Sequence, residues 1–219
     1  MADEKVKLIY PATGLTAPTS WGSKESIKKM IETINTKYGK YIEFVAKESK
    51  LPKEMIASFI AVESGGNATA GASGGVTQGL MQWNRTYAKD QLEKELKLNR
   101  MTKLQKDKLA SFGIKFDANG KTRAITNADQ LKPELNILIG SIVLGQLVDT
   151  DWGTENGEIK LDRVIAVYNA GAYGDTGKKA RSKAYKTPKD LAGVVNSTTS
   201  AYIKKILGTD GALHVTKTA

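Results

Sequence analysis

Ile56 to Gln82 reads IASFIAVESGGNATAGASGGVTQGLMQ, and the rest of the chain takes its meaning from this stretch. Pro52 suits the first position of a helix, where its missing N–H leaves nothing unpaired. Met55, Ile56, Phe59, Ile60 and Val62 then recur at helical spacing. Glu63 falls on the face of Ile56, Phe59 and Ile60, not on that of the lysines. Gly65 and Gly66 stop the helix and leave Glu63 in its last turn. The negative end of the helix dipole and the apolar surroundings both push such a carboxyl pKa upward. An acid that stays protonated near neutral pH is what glycosidic bond cleavage requires. A solvated glutamate at a fraying helix end is the plainer reading, and the motifs further along decide between the two. Ser64 to Gln78 holds no charged residue, so this loop can approach a neutral sugar closely. Gly79-Leu80-Met81-Gln82 is an apolar turn that needs a buried setting.

Before this stretch, residues 1–22 read as irregular, with Pro11, Gly14, Pro18 and Gly22 as breakers. Ser23 is the expected N-cap of a helix to Tyr38 that carries Ile27, Met30, Ile31 and Ile34 on one face. Gly39 is expected to break it, and a second helix is expected from Tyr41 to Lys50.

Beyond the stretch, Tyr87 to Leu109 is helical and strongly charged, largely a solvated face. Phe112 to Ile125 reads as a hairpin around Asp117-Ala118-Asn119-Gly120. That turn lacks the distal glutamate of a calcium loop, since Ala128 stands there, and no metal is assigned to it. Leu135 to Val148 is apolar nearly all round and reads as a buried helix, with Gly140 and Gly145 suggesting close contact. Asp149 to Gly157 is expected to be a polar loop. A buried helix from Leu161 ends in Tyr168-Asn169-Ala170-Gly171. Lys178, Lys179, Arg181, Lys183, Lys186 and Lys189 form a basic stretch, Asn196 to Leu207 an amphipathic helix, and 208–219 a frayed tail.

The 219 residues hold 40% apolar residues, enough for a core, and no cysteine, which excludes disulfides, thiolate metal sites and cysteine nucleophiles. A single histidine, His214, argues against a serine–histidine triad or a histidine-rich metal site. The net charge of +10 suits a polyanionic partner. No apolar run approaches the roughly 20 residues of a transmembrane helix. MADEKVKLIYPATG lacks the basic and apolar regions of a signal peptide.

Four motifs now stand in order: Glu63-Ser64-Gly65, Gly79-Leu80-Met81-Gln82, Asn136-Ile137 with Gly140, and Ala166-Val167-Tyr168-Asn169-Ala170-Gly171. Together they resemble the catalytic domain of soluble lytic transglycosylases, which share a lysozyme-like fold with goose-type lysozymes. The resemblance runs from Tyr41 to Leu207. It implies a mainly α, lysozyme-like fold with a small β-hairpin insertion. It also implies cleavage of the β-1,4 bond between N-acetylmuramic acid and N-acetylglucosamine in peptidoglycan. The catalytic glutamate maps onto Glu63. Ser73 and Tyr168 would help hold its carboxyl, Gln82 and Asn169 would shape the sugar cleft, and Tyr202 is a weaker candidate for the same cleft. No cofactor is implied. Two departures stand out: the loop from Asn67 to Ser73 is one residue longer than usual, and the segment from Gln82 to Asn136 is longer than is common.

Glycosidases with two carboxylates need a second acid beside the bond. Between Glu63 and Asp90 there is no Asp or Glu. Where goose-type lysozymes carry an aspartate, this chain has Asn84, which cannot act as a base. A lone glutamate fits a transglycosylase, which closes a 1,6-anhydro ring without water. The alternatives are a hydrolytic muramidase of the same fold and a non-catalytic wall-binding or virion module. A nucleic-acid binder rests on charge alone, because few aromatics interleave the basic run. The expected organisation is an N-terminal extension with one helix (1–40), the lytic domain (41–207) and a tail (208–219). The expected partners are peptidoglycan strands, an anionic wall surface met by the basic stretch, and, for a phage component, virion proteins. A phage virion component, a holin-released endolysin and a processed bacterial enzyme are all consistent with the chain.

Overall fold

Helices dominate because apolar residues recur at helical spacing and the breakers cluster between those runs. A computed structural model describes residues 13–71 and 75–218. A 3-10 turn at Thr19–Trp21 precedes α1 (Lys24–Ser49), α2 (Lys53–Ser64), α3 (Arg85–Lys97), α4 (Lys103–Ser111), α5 (Asn127–Gln130) and α6 (Pro133–Val148). Strands β1 (Thr154–Glu155) and β2 (Glu158–Ile159) come next, then α7 (Leu161–Ala170), α8 (Asp175–Arg181), α9 (Pro188–Val194), α10 (Ser197–Leu207) and α11 (Ala212–Thr218). At 61% helix with one two-stranded antiparallel hairpin among the described residues, the fold is mainly α, as expected. Of the described residues, 13–32 and 144–218 form one compact unit and those of Thr33–Val143 the other. The boundaries fall inside α1 and α6.

Gly39 does not break α1, contrary to expectation, and the helix runs on through the expected boundary at 40/41. Ile27, Ile31, Ile34, Ile42 and Val45 are each at most 2% exposed. That stripe keeps its phase across the glycine, and one mid-helix glycine costs only about 1 kcal/mol against such burial. Ser23 caps the helix as expected, its Oγ accepting from the Ser26 N–H at 3.2 Å.

In the Thr33–Val143 unit, α2 buries Met55 through Ala61. The helical run expected from Tyr87 to Leu109 is interrupted. Asn99 adopts a positive φ of 53°, and Thr102 and Gln105 form a capping box that starts α4 afresh. The expected hairpin at Phe112–Ile125 is reduced to one antiparallel bridge, Phe116 to Thr122. Asp117 forms its turn, its Oδ1 accepting from the N–H groups of Asn119 (2.8 Å) and Lys121 (2.9 Å). Glu93 of α3 holds this turn by accepting from Lys121 Nζ at 2.8 Å and the Thr122 N–H at 3.1 Å. Lys121 and Lys89 together hold the Glu93 carboxyl down at about 2.

In the other unit, α7 packs on α8, α9 and α10, and α10 packs on α11. The two-stranded hairpin is β1–β2, which starts in the expected polar loop Asp149–Gly157 and ends two residues beyond it. Its turn is Asn156-Gly157, with φ of 53° and 76°. Asn-Gly is the dipeptide that a two-residue hairpin turn favours. The expected frayed tail carries α11, with Ala212, Leu213 and Val215 buried. Thr209 ties down the start of that segment, donating its N–H to Leu15 O at 2.8 Å and accepting from the Ala17 N–H at 3.1 Å.

A Cβ at Gly39 meets nothing within 4 Å. Gly39→Ala is therefore expected to raise the unfolding free energy by about 0.5–1 kcal/mol, seen as a higher urea midpoint with unchanged slope. Folding lowers the Glu93 pKa from its ordinary 4.5 to about 2. Its contribution is thus full above 4.5 and fades as pH falls toward 2. Glu93→Gln is expected to destabilise the protein at neutral pH, with the gap to wild type narrowing across that acid window. A gap of constant size in urea titrations over the window would count against the ion pair.

Candidate active site

Glu63 occupies the last turn of α2 and is half-buried. The helix ends at Gly65 in the left-handed conformation, whose N–H donates to Ala61 O at 3.0 Å. Ser64 stitches this end together. Its hydroxyl donates to Ile60 O at 3.1 Å and accepts from the Gly66 N–H at 3.2 Å. Tyr38 of α1 adds a bond from its hydroxyl to Gly66 O at 3.3 Å. The serine of the Glu63-Ser64-Gly65 motif therefore works on the backbone, holding the turn that carries the glutamate.

The uncharged loop returns to the Gly79-Leu80-Met81-Gln82 turn and closes on it. Ala70 O accepts from the Gly79 N–H at 2.9 Å and from Gln82 Nε2 at 3.1 Å. Gln82 Nε2 also donates to Gly79 O at 2.7 Å. Gln82 itself has a φ of +47°, a conformation that non-glycine residues adopt sparingly and that gathers at functional sites. Its amide NH2 is engaged by these two carbonyls. Its Oε1 lies beside Gly71, where a Cβ would stand 3.2 Å away.

Beneath the turn sits the Asn136 carboxamide of α6, fully buried. Its Oδ1 accepts from the Met81 N–H at 2.8 Å, and its Nδ2 donates to Gln78 O at 2.9 Å and to Gln130 O at 2.8 Å. Asn136 O accepts from Trp83 Nε1 at 2.9 Å. Gln130 Nε2 completes the network through Trp83 O at 2.7 Å and Val76 O at 3.2 Å. Close approach needs two glycines. A Cβ on Gly79, at φ +83°, would overlap Gln130 O and the Asn136 amide, and one on Gly140 would meet Met81 Sδ at 2.5 Å. Two of the motifs are thus one object: Asn136 and Gly140 seat the turn. Sequence reasoning quoted Asn136 in a motif without giving it this role, and it missed Gln130 and Trp83. A buried asparagine in an otherwise apolar helix was the available signal.

Asn84 is the N-cap of α3, its Oδ1 accepting from the Tyr87 N–H at 3.1 Å. The other acids of this unit that are tied to cations include Glu93, Asp129 (with Arg123 and Lys132) and Asp107 (with Lys103). Asp129 is buried, which alone would raise its pKa, but Arg123, Thr126 and Lys132 outweigh burial and hold it well below the carboxylate range.

Ser73 lies outside the described residues. Tyr168, Asn169 and Tyr202 belong to the other unit. Tyr168 and Asn169 are half-buried in the last turn of α7, and Tyr202, on α10, is 7% exposed. Thr199, buried on α10, donates its hydroxyl to Asn169 Oδ1 at 2.9 Å. The basic stretch spans α8, the segment between α8 and α9, and Lys189 in the first turn of α9. Lys178 is exposed, Lys179 Nζ reaches Val194 O at 3.0 Å, and the Arg181 guanidinium lies over the Tyr173 ring at 6.0 Å. Asp151 stands 4.0 Å from Lys183. No helix among the described residues is long and apolar enough to cross a membrane.

A family model described as the transglycosylase SLT domain matches residues 40–191, more than half of the chain. No curated protein matches it.

Asn136→Leu removes the partner of three buried backbone groups, the Met81 N–H and the Gln78 and Gln130 carbonyls. At about 1–3 kcal/mol for each stranded group, a loss of about 3 kcal/mol or more is expected in urea unfolding. Gly79→Ala is expected to cost more than Gly140→Ala. The first overlaps a carbonyl and an amide in a positive-φ turn, and the second meets Met81 alone, whose Sδ can swing aside although its Cβ, at 2.9 Å, moves only with the turn.

Proposed function

This chain belongs to the transglycosylase SLT domain family, and from that premise we propose that it cleaves the β-1,4 bond between N-acetylmuramic acid and N-acetylglucosamine with Glu63 as the single general acid and base. Family membership itself makes it a lytic transglycosylase catalytic domain of lysozyme-like fold that acts on peptidoglycan.

One observation carries the finer reading. From Ser64 to Lys89 there is no Asp or Glu, and Asn84 uses its side-chain oxygen to cap α3. No second carboxylate in this stretch is available to activate water. The reaction then needs only groups already named. Glu63 gives its proton to the glycosidic oxygen as the bond from the muramic C1 to that oxygen breaks. The substrate's acetamido oxygen stabilises C1. The Glu63 carboxylate next takes the proton of the C6 hydroxyl, and O6 bonds to C1. The products are a free 4-hydroxyl on N-acetylglucosamine and a 1,6-anhydro-muramic end. Glu63 is protonated again and no water is consumed. An intramolecular hydroxyl held near C1 has a large advantage over solvent.

Ser73, Gln82, Tyr168, Asn169 and Tyr202 are proposed as substrate contacts on the strength of the family motifs. For Gln82, the bonds of its NH2 to Ala70 O and Gly79 O support a part in shaping the loop, with Oε1 the atom that meets sugar. The basic residues from Lys178 to Lys189 are proposed to draw the protein to the anionic wall, an attraction that salt screens.

Glu63→Gln keeps the shape and removes titration. A rate loss of about a thousandfold or more is expected, because acid–base catalysis supplies roughly 10²–10⁴. A folded variant within tenfold of wild type would sink the assignment. Mass spectrometry of the wild-type digest should find muramic ends lighter by one water than reducing ends, with no oxygen taken from heavy-oxygen water. Predominantly reducing, labelled ends would make the enzyme a muramidase and send the search for a second acid to Asp149 and Asp151.

A further inference from the structure

Asn169 ends α7 with a carboxamide whose two ends differ. Its Oδ1 accepts the Thr199 hydroxyl at 2.9 Å, and its Nδ2 has no partner among the described residues. Thr199 is 1% exposed, so its proton has to go to a protein acceptor. The hydroxyl is itself held in place. Thr199 is at the third position of α10, where its N–H donates to the N-cap Asn196 Oδ1 at 2.8 Å. Asn196 Nδ2 donates in turn to Thr176 Oγ1 of α8 at 3.1 Å. The chain of bonds from α8 through the start of α10 to the end of α7 fixes which way the Asn169 amide is turned. A free asparagine offers an acceptor or a donor with equal ease, because rotation about its last bond exchanges them. A threonine hydroxyl donating to Oδ1 removes that choice and leaves two N–H donors on a half-exposed side chain.

We propose that Thr199 is a positioning residue for substrate recognition: it locks the Asn169 amide with its NH2 available, so that this position selects an acceptor-only oxygen on the sugar, of the acetamido carbonyl type. This rests on the reading of Asn169 as a substrate contact. Only a donor at this position can recognise an acetamido carbonyl, which has no proton to give. A de-acetylated ring carries in that place an amine that, once protonated, has only donors to offer, so the locked NH2 favours the acetylated ring over it.

The test uses the full chain and two readouts. The first is kinetics on soluble N-acetylated glycan strands from peptidoglycan. Thr199→Val keeps the shape of the side chain and removes the donor. It is expected to raise KM about three- to tenfold with little change in kcat, the size of one lost neutral hydrogen bond. Thr199→Ser should restore wild-type kinetics. Asn169→Asp still accepts from Thr199 but has lost the NH2, and it should lose activity at least as severely as Thr199→Val while staying folded. In an Asn169→Ala background, Thr199→Val should have no further effect on KM. A further loss there of the same size would show that Thr199 acts only through packing and would overturn the proposal. So would unchanged KM in Thr199→Val, or full activity in Asn169→Asp.

The second readout is the Asn169 side-chain NH2 signal in nitrogen-resolved NMR, assigned by its loss in Asn169→Ala. It should shift in Thr199→Val, return in Thr199→Ser, and move on titration with an N-acetylglucosamine oligomer but not with the de-acetylated oligomer. An NH2 signal indifferent to Thr199→Val removes the positioning role, and equal response to both oligomers removes the selectivity. If wild type releases no anhydro-muramic ends, the proposed reaction fails, while the NMR arms still decide the role of Thr199.

Discussion

The Asn136 carboxamide is the constraint on which the Thr33–Val143 unit depends. A turn of glycine, two large apolar residues and glutamine must be buried, because Leu80 and Met81 have to leave water. Burying it takes the Met81 N–H and the Gln78 carbonyl along, and backbone groups in that position must find partners. A helix cannot supply them from its own backbone, which is already paired. It can supply them from a side chain that has both a donor and an acceptor, and asparagine is short enough to hold them close to the helix surface. Gly140, one turn on, gives Met81 the room it needs. With the turn seated, Gln82 reaches Ala70 and Gly79, the uncharged loop is drawn in, and the end of α2 is joined to a fixed point.

Such a network explains why Asn136, Gly79 and Gly140 stood out in the sequence, while Gln130 and Trp83, polar or aromatic residues in a mixed stretch, did not. A polar residue in an apolar helix, or a glycine before two apolar residues, has few physical excuses, and each left its mark on the pattern. The buried stripes of α2, α6, α7 and α10 were legible for the same reason. What was not legible depends on competition between weak local signals and tertiary burial. Gly39 looked like a stop, yet the Ile27–Val45 stripe stays in phase through it, and burial outweighs one glycine. The Asn156-Gly157 turn was masked by the aspartates and polar residues around it, which read as a loop. The 212–218 helix is short and flanked by Thr209 and Asp210, so its composition resembles a tail. Its order comes from α10 and from the bonds of Thr209 to Leu15 and Ala17, partners about two hundred residues away that no local window contains.

Site residues divide by a similar rule. The place of Glu63 in the last turn of a helix was readable because it is local information. Thr199 was not, because a threonine in the first turn of a helix is unremarkable until Asn169 is found 2.9 Å from its hydroxyl. Gln82 shows the limit of motif reasoning in another way. The motif names the residue, but only the structure tells that its NH2 is bound to the backbone, so the residue acts on the loop.

Charge is arranged to keep this machinery uncoupled from the protein's strong positive balance. The stretch from Ser64 to Asn84 carries no charged side chain at all, while Glu93 of α3 and Asp129 of α5 are held ionised by neighbouring lysines and an arginine. Glu93 and Asp129 therefore cannot serve as proton donors at any pH where the protein works, since their carboxyls sit far below neutrality. A carboxyl that is to donate a proton needs the reverse environment, with apolar neighbours and no cation. In the sequence, Phe59 and Ile60 share the helix face of Glu63, and glycines and alanines follow it. The basic residues from Lys178 to Lys189 belong to the other unit. On the proposed reading of Glu63 as the acid, a lysine placed beside it would stabilise the carboxylate and take away the proton donor.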